Sequence, residues 1–402
     1  MNKITTIKTL STLWVAMSLF VFSCTEAPII IPQGEYRLNS PSSMVLLSGT
    51  DCAIVSNANV NLDQRTGALI VVNLDTETLL VDTLFEIPNF SGNIFLDEGR
   101  NRIYVPDHDE TLSIYEYEIS GTDCDSISFS EVDVPYPIDE DHPNGIELDD
   151  GPAEALMIPG TSLGDVIFVT SQVGSVSVIP ANTLKVKDMD EDGDYSGLKL
   201  FSASNFENAD NFPGRGANRM TVSAVTGLVY ITSSSNNQIY VLNPVDQSIE
   251  AMIDLDSVAL PTVGMRDIQL DNSTGAEMAY VAHSGLDSII IMDVSGITAN
   301  NIPYEIVSPP ILDVMLVGDG PEDIKILSSG AQLFVSNQKE DSVYTIDTVL
   351  RQVTNKVFMD QPKNPGRLVL DEPRNRLYSL DFYSNTISIF NATTGDHLGT
   401  IK

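Results

Sequence analysis

The chain has 402 residues, a mean hydropathy near zero and 42 % hydrophobic residues, which excludes a disordered chain and a polytopic membrane protein. Asp and Glu outnumber Lys and Arg 56 to 21, a formal charge of −35 that repels phosphate backbones and anionic lipid surfaces. Nucleic acid is therefore excluded as an expected partner, and most of the acidity reads as a solvated surface.

The first element is a processing segment. Lys3 and Lys8 make a positive start, Leu10 to Phe22 is an apolar run too short to span a bilayer comfortably, and Ser23-Cys24 ends it. Val21-Phe22-Ser23-Cys24 resembles a bacterial lipobox, which implies lipidation of Cys24; Val21, where Leu is more usual, and the bulky Phe22 depart from that pattern. An ordinary secretory signal cut nearby is the other reading. Thr25 follows the Cys and no Asp stands there to resemble an inner-membrane retention signal, so the expected location is the outer membrane, facing the periplasm or the cell surface. Residues 1–23 are thus read as a lipoprotein signal peptide, 24–42 as an Ile- and Pro-rich tether and 43–402 as a single domain.

From residue 43 onward one phrase recurs seven times: a short strand, a turn, a second strand, a polar tip and a third strand. Its fullest copy runs from Gly318 to Asp347, with Ile324 and Ile326 alternating in the first strand, a Ser328-Ser329-Gly330 turn, Leu333-Phe334-Val335 and Val343-Tyr344-Thr345-Ile346. The first strands start near Val45, Ile94, Leu156, Met220, Ile268, Ile324 and Leu368; fourth strands are clear at Leu79-Leu80-Val81 and His397 to Ile401. Units of roughly 45 to 65 residues with no helical period predict an all-β fold, a seven-bladed β-propeller of four-stranded antiparallel blades. A complete last strand, Leu398 to Ile401, predicts that the ring closes without borrowing an N-terminal strand. The unit resembles the YVTN-type propeller repeat of bacterial secreted proteins and lipoproteins, most closely at Gly320-Pro321, Phe334-Val335-Ser336-Asn337 and Val343 to Asp347. That resemblance covers about Ser43 to Lys402 and implies a fold much more than an activity.

Cys52 and Cys124 each close the pentapeptide Ser-Gly-Thr-Asp-Cys in neighbouring repeats. In an oxidising compartment they are a possible disulfide, with two buried thiols as the alternative. Two insertions interrupt the repeats, 131–152 and 185–216, and insertions on repeats commonly carry binding. The second contains Asp188, Asp190, Asp192 and Asp194 around Gly193, carboxylates at alternating positions with a Gly that permits a sharp turn. This pattern over 188–196 suits a structural Ca²⁺, although Lys199 stands where an EF-hand loop has its bidentate Glu, and an unliganded acidic turn is the competing reading.

The fold itself predicts a second site. First strands line a propeller's channel, so the residues just before them form a ring: Met44, Asn93, Ala155, Arg219, Asp267, Asp323 and Arg367. One step earlier stand Ser43, Gly92, Glu154, Asn218, Arg266, Glu322 and Gly366. Three arginines of an Arg-poor chain meet acids and amides there. A self-satisfying salt-bridge ring is one reading; the others are an anion site built on Arg219, Arg266 and Arg367, and a divalent-ion site on Glu154, Asp267, Asp323 and Asn93, similar to lactonase propellers. His108, His142, His283 and His397 are scattered, with His108 and His283 expected at the surface of one rim. No Gly-x-Ser-x-Gly elbow, haem attachment motif or phosphate loop is present, and the single Trp, Trp14, is in the leader. The sequence thus favours a non-enzymatic binder of a protein or glycan over a metal-dependent hydrolase.

Overall fold

The computed structural model describes residues 38–59, 66–107, 110–135, 143–187, 198–199, 216–255, 262–299, 305–360 and 363–402. Seven sheets of at least four strands make the blades of a ring, and a 3-10 turn at Cys124–Ser126 is the one helical piece among the described residues. The innermost strands are Pro41–Leu46, Phe95–Asp97, Pro152–Thr161, Ala217–Val222, Met265–Asp271, Pro321–Ile326 and Pro365–Asp371, blades 1 to 7 in chain order.

Burial explains why the strands read as they do. The second and third strands of a blade are covered on both faces by the neighbouring blades, so Cys52–Asn57 is buried at every position and its first four residues, Cys52 to Val55, form a continuous apolar run. The outermost strand of blade 6, Gln352–Phe358, alternates exposed and half-buried residues, as one dry and one wet face require. Each apolar core lies between two consecutive blades: 1 with 2, 2 with 3, 3 with 4, 4 with 5, 5 with 6, 6 with 7, and 7 with 1. One register position seals six of them. Tyr104, Phe168, Tyr230, Tyr280, Phe334 and Tyr378 hold the same place in their second strands, and each packs against the following blade; in blade 1 the place belongs to Ile54.

The ring closes as expected from the complete last strand. His397–Ile401 pairs with Thr386–Asn391 inside blade 7, and the seam is a packed interface in which Met44, Ala53 and Val55 meet Tyr378, Leu380 and Ile389. Both insertions, 131–152 and 185–216, supply blade edges. Gly145–Glu147 pairs with the third strand of blade 2 beside Ser128–Glu131, and Leu198–Lys199 pairs with the third strand of blade 3. Blade 4 gains a fifth, parallel strand from Glu305–Val307, a cover for an otherwise open edge.

Two copies of one hexapeptide pattern, Asp-Glu-x-Arg-Asn-Arg at 97–102 and 371–376, tie blades together along one rim. Arg100 bonds Asp97 and reaches Asp165 of blade 3 at 2.6 Å, while Glu98 accepts the Ser48 N–H of blade 1. In the second copy Arg374 bonds Asp371 and reaches Asp51 of blade 1, while Glu372 accepts the Ser328 N–H of blade 6. Each copy therefore grips both flanking blades, and the second spans the seam.

Cys52 and Cys124 are bonded to each other, with Cα atoms 5.5 Å apart, and join blades 1 and 2. This decides between the two readings of the cysteines. The bond spans 72 residues, so replacing both cysteines by serine is expected to cost about 2–5 kcal/mol, read as a lowered denaturation midpoint in guanidinium. An unchanged midpoint would show that the packed interface alone holds these blades together.

Candidate functional site

The hub is built by a backbone device. In six of the seven innermost strands the pairing register shifts near the start, at Pro41/Ser43, Pro152/Glu154, Ala217/Met220, Met265/Ile268, Pro321/Asp323 and Pro365/Leu368. Such a bulge sets two residues of the innermost strand against one of its neighbour and so resets which way the following side chains face. Glu154 lies opposite Thr170, as Asp323 lies opposite Ser336 and Ser43 opposite Ser56. The hub ring is therefore Ser43, Asn93, Glu154, Arg219, Asp267, Asp323 and Arg367. Met44 and Ala155 belong one step further along, a correction in blades 1 and 3 that follows from where the bulge falls.

Most ring side chains are occupied in holding the next blade. Ser43 Oγ accepts the Ile94 N–H of blade 2 at 3.2 Å, and Glu154 Oε2 accepts the Met220 N–H of blade 4 at 2.5 Å. Asp267 Oδ2 accepts the Ile324 N–H of blade 6 at 3.0 Å, and Asp323 Oδ2 accepts the Leu368 N–H of blade 7 at 2.8 Å. Arginine cannot accept, so Arg367 does something different. It crosses the axis, donating to Asn93 Oδ1, to Glu154 Oε1 at 3.0 Å and towards Asp323 Oδ2 at 3.5 Å. Asn93 donates in turn to Glu154 at 2.9 Å. Four blades thus meet at one guanidinium, and this cluster separates two vestibules.

The front vestibule, about 320 Å³, lies on the side where the innermost strands begin and is walled by Arg219, Arg266, Glu322, Phe90 and Phe382. The rear vestibule, about 420 Å³, lies beyond the ring and is of mixed polarity, with Met44, Phe95 and Leu156 among its walls beside Glu154, Asp267 and Lys325. Asn93 and Arg367 line both, which makes them the partition.

Beside the partition sits a buried acid pair. Lys325 Nζ is 2.8 Å from Asp323 and 3.7 Å from Asp267. Burial and the adjacent Asp323 charge push the Asp267 carboxyl up to about 7. Burial acts in the same direction on Asp323, yet Lys325 and Arg367 outweigh it and hold that carboxyl well below the usual range. Burial is also the main cause that lowers the Arg367 pKa, followed by the neighbouring Arg219 cation.

The candidate residues separate accordingly. Asn93, Glu154, Asp267, Asp323 and Arg367 come together at the hub, and Arg219, Arg266 and Glu322 line the front vestibule. Arg266 Nε donates to Ser284 Oγ at 3.1 Å and lies 3.5 Å from Glu322. Among the described residues no group of three or more His, Cys, Asp or Glu is arranged to hold a metal ion. Asp188, Asp190, Asp192 and Asp194 lie outside the described residues, as do Cys24, His108 and His142. His283, expected at the surface, is fully buried and bonds Asn237 Oδ1 at 3.1 Å, and burial lowers its pKa. Sequence reasoning missed Lys325, the cation between the two acids. Its alternation with Asp323 in an otherwise apolar strand was the available signal.

With the fold and hub described, the class is plain: the chain is a seven-bladed β-propeller. No protein-family pattern and no curated protein matches its sequence. Among solved structures it is similar to the β-propeller domain of Cps50 (Swd1) from Myceliophteria thermophila, with TM-score 0.63, 7 % identity, and 89 % of this chain and 98 % of that one covered. It is also similar to Sqt1 of Saccharomyces cerevisiae, with TM-score 0.59, 10 % identity and 90 % and 85 % covered. A functionally unknown protein from Desulfotomaculum acetoxidans gives TM-score 0.56 at 12 % identity, with 89 % and 94 % covered. At such identities the likeness is one of fold.

The acid pair makes stability depend on pH. Because the folded Asp267 holds its proton up to about pH 7, the folded state binds more protons than the unfolded chain above pH 4, and this group's contribution to stability falls as pH rises through that window. Asp267→Asn imitates the protonated form. It is expected to flatten the loss of stability between pH 4 and 7 and to raise stability at pH 8 by about 1 kcal/mol or more, measured by urea denaturation across pH. Parallel pH profiles for the variant and the parent would show that the pair shares no proton.

Proposed function

We propose that this protein is a lipid-anchored, extracytoplasmic β-propeller of the YVTN-repeat type that binds a protein or glycan partner and catalyses no reaction. The observation that carries this reading is the partition at the hub. The acids that would serve a lactonase-type reaction are already engaged: Glu154 with Arg367 and the Met220 N–H, Asp323 with Lys325 and the Leu368 N–H, and Asp267 with the Ile324 N–H. A divalent ion there would have to displace the half-buried Arg367 and Lys325 from Asp323, which is fully buried, and stripping a buried charge of its partner is strongly destabilising. The Cys52–Cys124 bond supports an oxidising compartment, in keeping with the leader and with Cys24 as the anchored residue, in the outer membrane. Fatty-acid labelling that persists in a Cys24→Ser variant would remove the anchor from this proposal. On its sequence pattern, the loop at 188–196 belongs to the same reading as a structural Ca²⁺ site.

One assay tests the function. Lactone and ester substrates are incubated with Ca²⁺, Mn²⁺ or Zn²⁺, and calorimetry follows the binding of the metal alone. The expected outcome is no hydrolysis above background, with Ca²⁺ binding that falls at least about tenfold in Asp190→Ala and Asp192→Ala. Metal-dependent turnover abolished by Glu154→Gln would establish the hydrolase instead.

A further inference from the structure

Among the described residues Arg219, Arg351 and Arg376 make no ion pair, and of these Arg219 is the one with a buried donor left unbonded, its Nε. A buried donor left unmade is destabilising, whereas a planar anion offers two acceptor oxygens to one guanidinium. The other two arginines of the front vestibule are already balanced. Arg367 is neutralised by Glu154 and Asp323, and Arg266 faces Glu322 while Ser284 fixes its Nε from behind. Among the charged side chains that line the vestibule, Arg219 is thus the one surplus to the ion pairs. Phe90 and Phe382 line the same cavity, whose 320 Å³ matches a small organic molecule.

We propose that the front vestibule binds a small organic monocarboxylate, its carboxylate held by Arg219 with Arg266 alongside and its apolar body against Phe90 and Phe382. A single surplus charge selects a monoanion over a phosphate dianion, and the two aromatic rings select an acid with an apolar body over formate or acetate. The site rests on the binding reading above, because it is the ligand pocket of a propeller whose hub is sealed from below. Failure of the two ideas is distinguishable. Turnover with metal would remove the non-enzymatic reading and leave carboxylate affinity as measured, and absence of carboxylate binding would leave the hub partition intact.

The test is calorimetric titration of the full-length protein with benzoate and phenylacetate, beside benzyl alcohol, acetate and inorganic phosphate. The expected result is saturable binding of the aromatic acids, none of the alcohol, and at least about tenfold weaker binding of acetate and phosphate. Arg219→Gln is expected to weaken benzoate about 10- to 100-fold, Arg219→Lys to retain part of the affinity, and Phe90→Ala to weaken benzoate more than acetate. Since Arg219 makes no ion pair among the described residues and its Nε is unbonded, its removal is expected to leave the melting temperature unchanged or raised. Should Arg219→Gln not fold, Arg266→Gln and Phe90→Ala carry the same comparison. Equal affinity for benzoate in Arg219→Gln and the parent, tighter binding of phosphate, or no binding by any of the acids overturns the proposal.

Discussion

The structure depends on one interaction: a side-chain oxygen near the axis takes the backbone N–H of the following blade. A blade's innermost strand has a neighbour on only one side, so its other edge presents N–H groups that need acceptors. Ser43, Glu154, Asp267 and Asp323 provide them, each one blade back from the donor. In six blades a bulge sits at or beside this residue and shifts the register from there on. Charge at the centre is thus a consequence of backbone accounting, and Arg367 with Lys325 follows from the need to neutralise the carboxylates of Glu154 and Asp323.

The same logic separates the two arginines of the ring. Arg367 is claimed by acids and an amide from three other blades, whereas Arg219 occupies an equivalent position and makes no ion pair among the described residues. Between blades 4 and 5, where Arg219 supplies no acceptor, Asn218 Nδ2 instead donates to the Arg266 carbonyl at 3.2 Å. Structural need therefore accounts for Arg367 and leaves Arg219 over. An asymmetry of this kind, in an otherwise repeating frame, is where a repeat protein departs from scaffold chemistry.

The blades were legible in the sequence because their middle strands are buried on both sides and leave apolar runs such as Ile103-Tyr104-Val105 and Leu333-Phe334-Val335, punctuated by turns. The ring of polar residues was legible too, since Asp267, Asp323 and Arg367 each stand just before an apolar first strand. Bulges blurred it: register counted from the apolar run placed Met44 and Ala155 where Ser43 and Glu154 stand. Pairings were beyond reach, because Arg367 finds Asn93 across 274 positions and Lys325 looks like any exposed strand lysine. The paired hexapeptides at 97–102 and 371–376 were visible as repeats, but their grip on both flanking blades depends on the three-dimensional ring.

Blade 7 is completed by its own C-terminal strand, so every blade is spelled by an uninterrupted stretch of chain apart from the edge strand that Glu305–Val307 adds to blade 4. Among the described residues no sheet is shared between the first blade and the last. Duplication or loss of one stretch in the gene would then add or remove an intact blade without splitting any sheet, so that the number of blades can drift by single steps. The boundary between the last blade and the first is a junction of surfaces, and new chain ends could be opened at another such junction with little change to the ring.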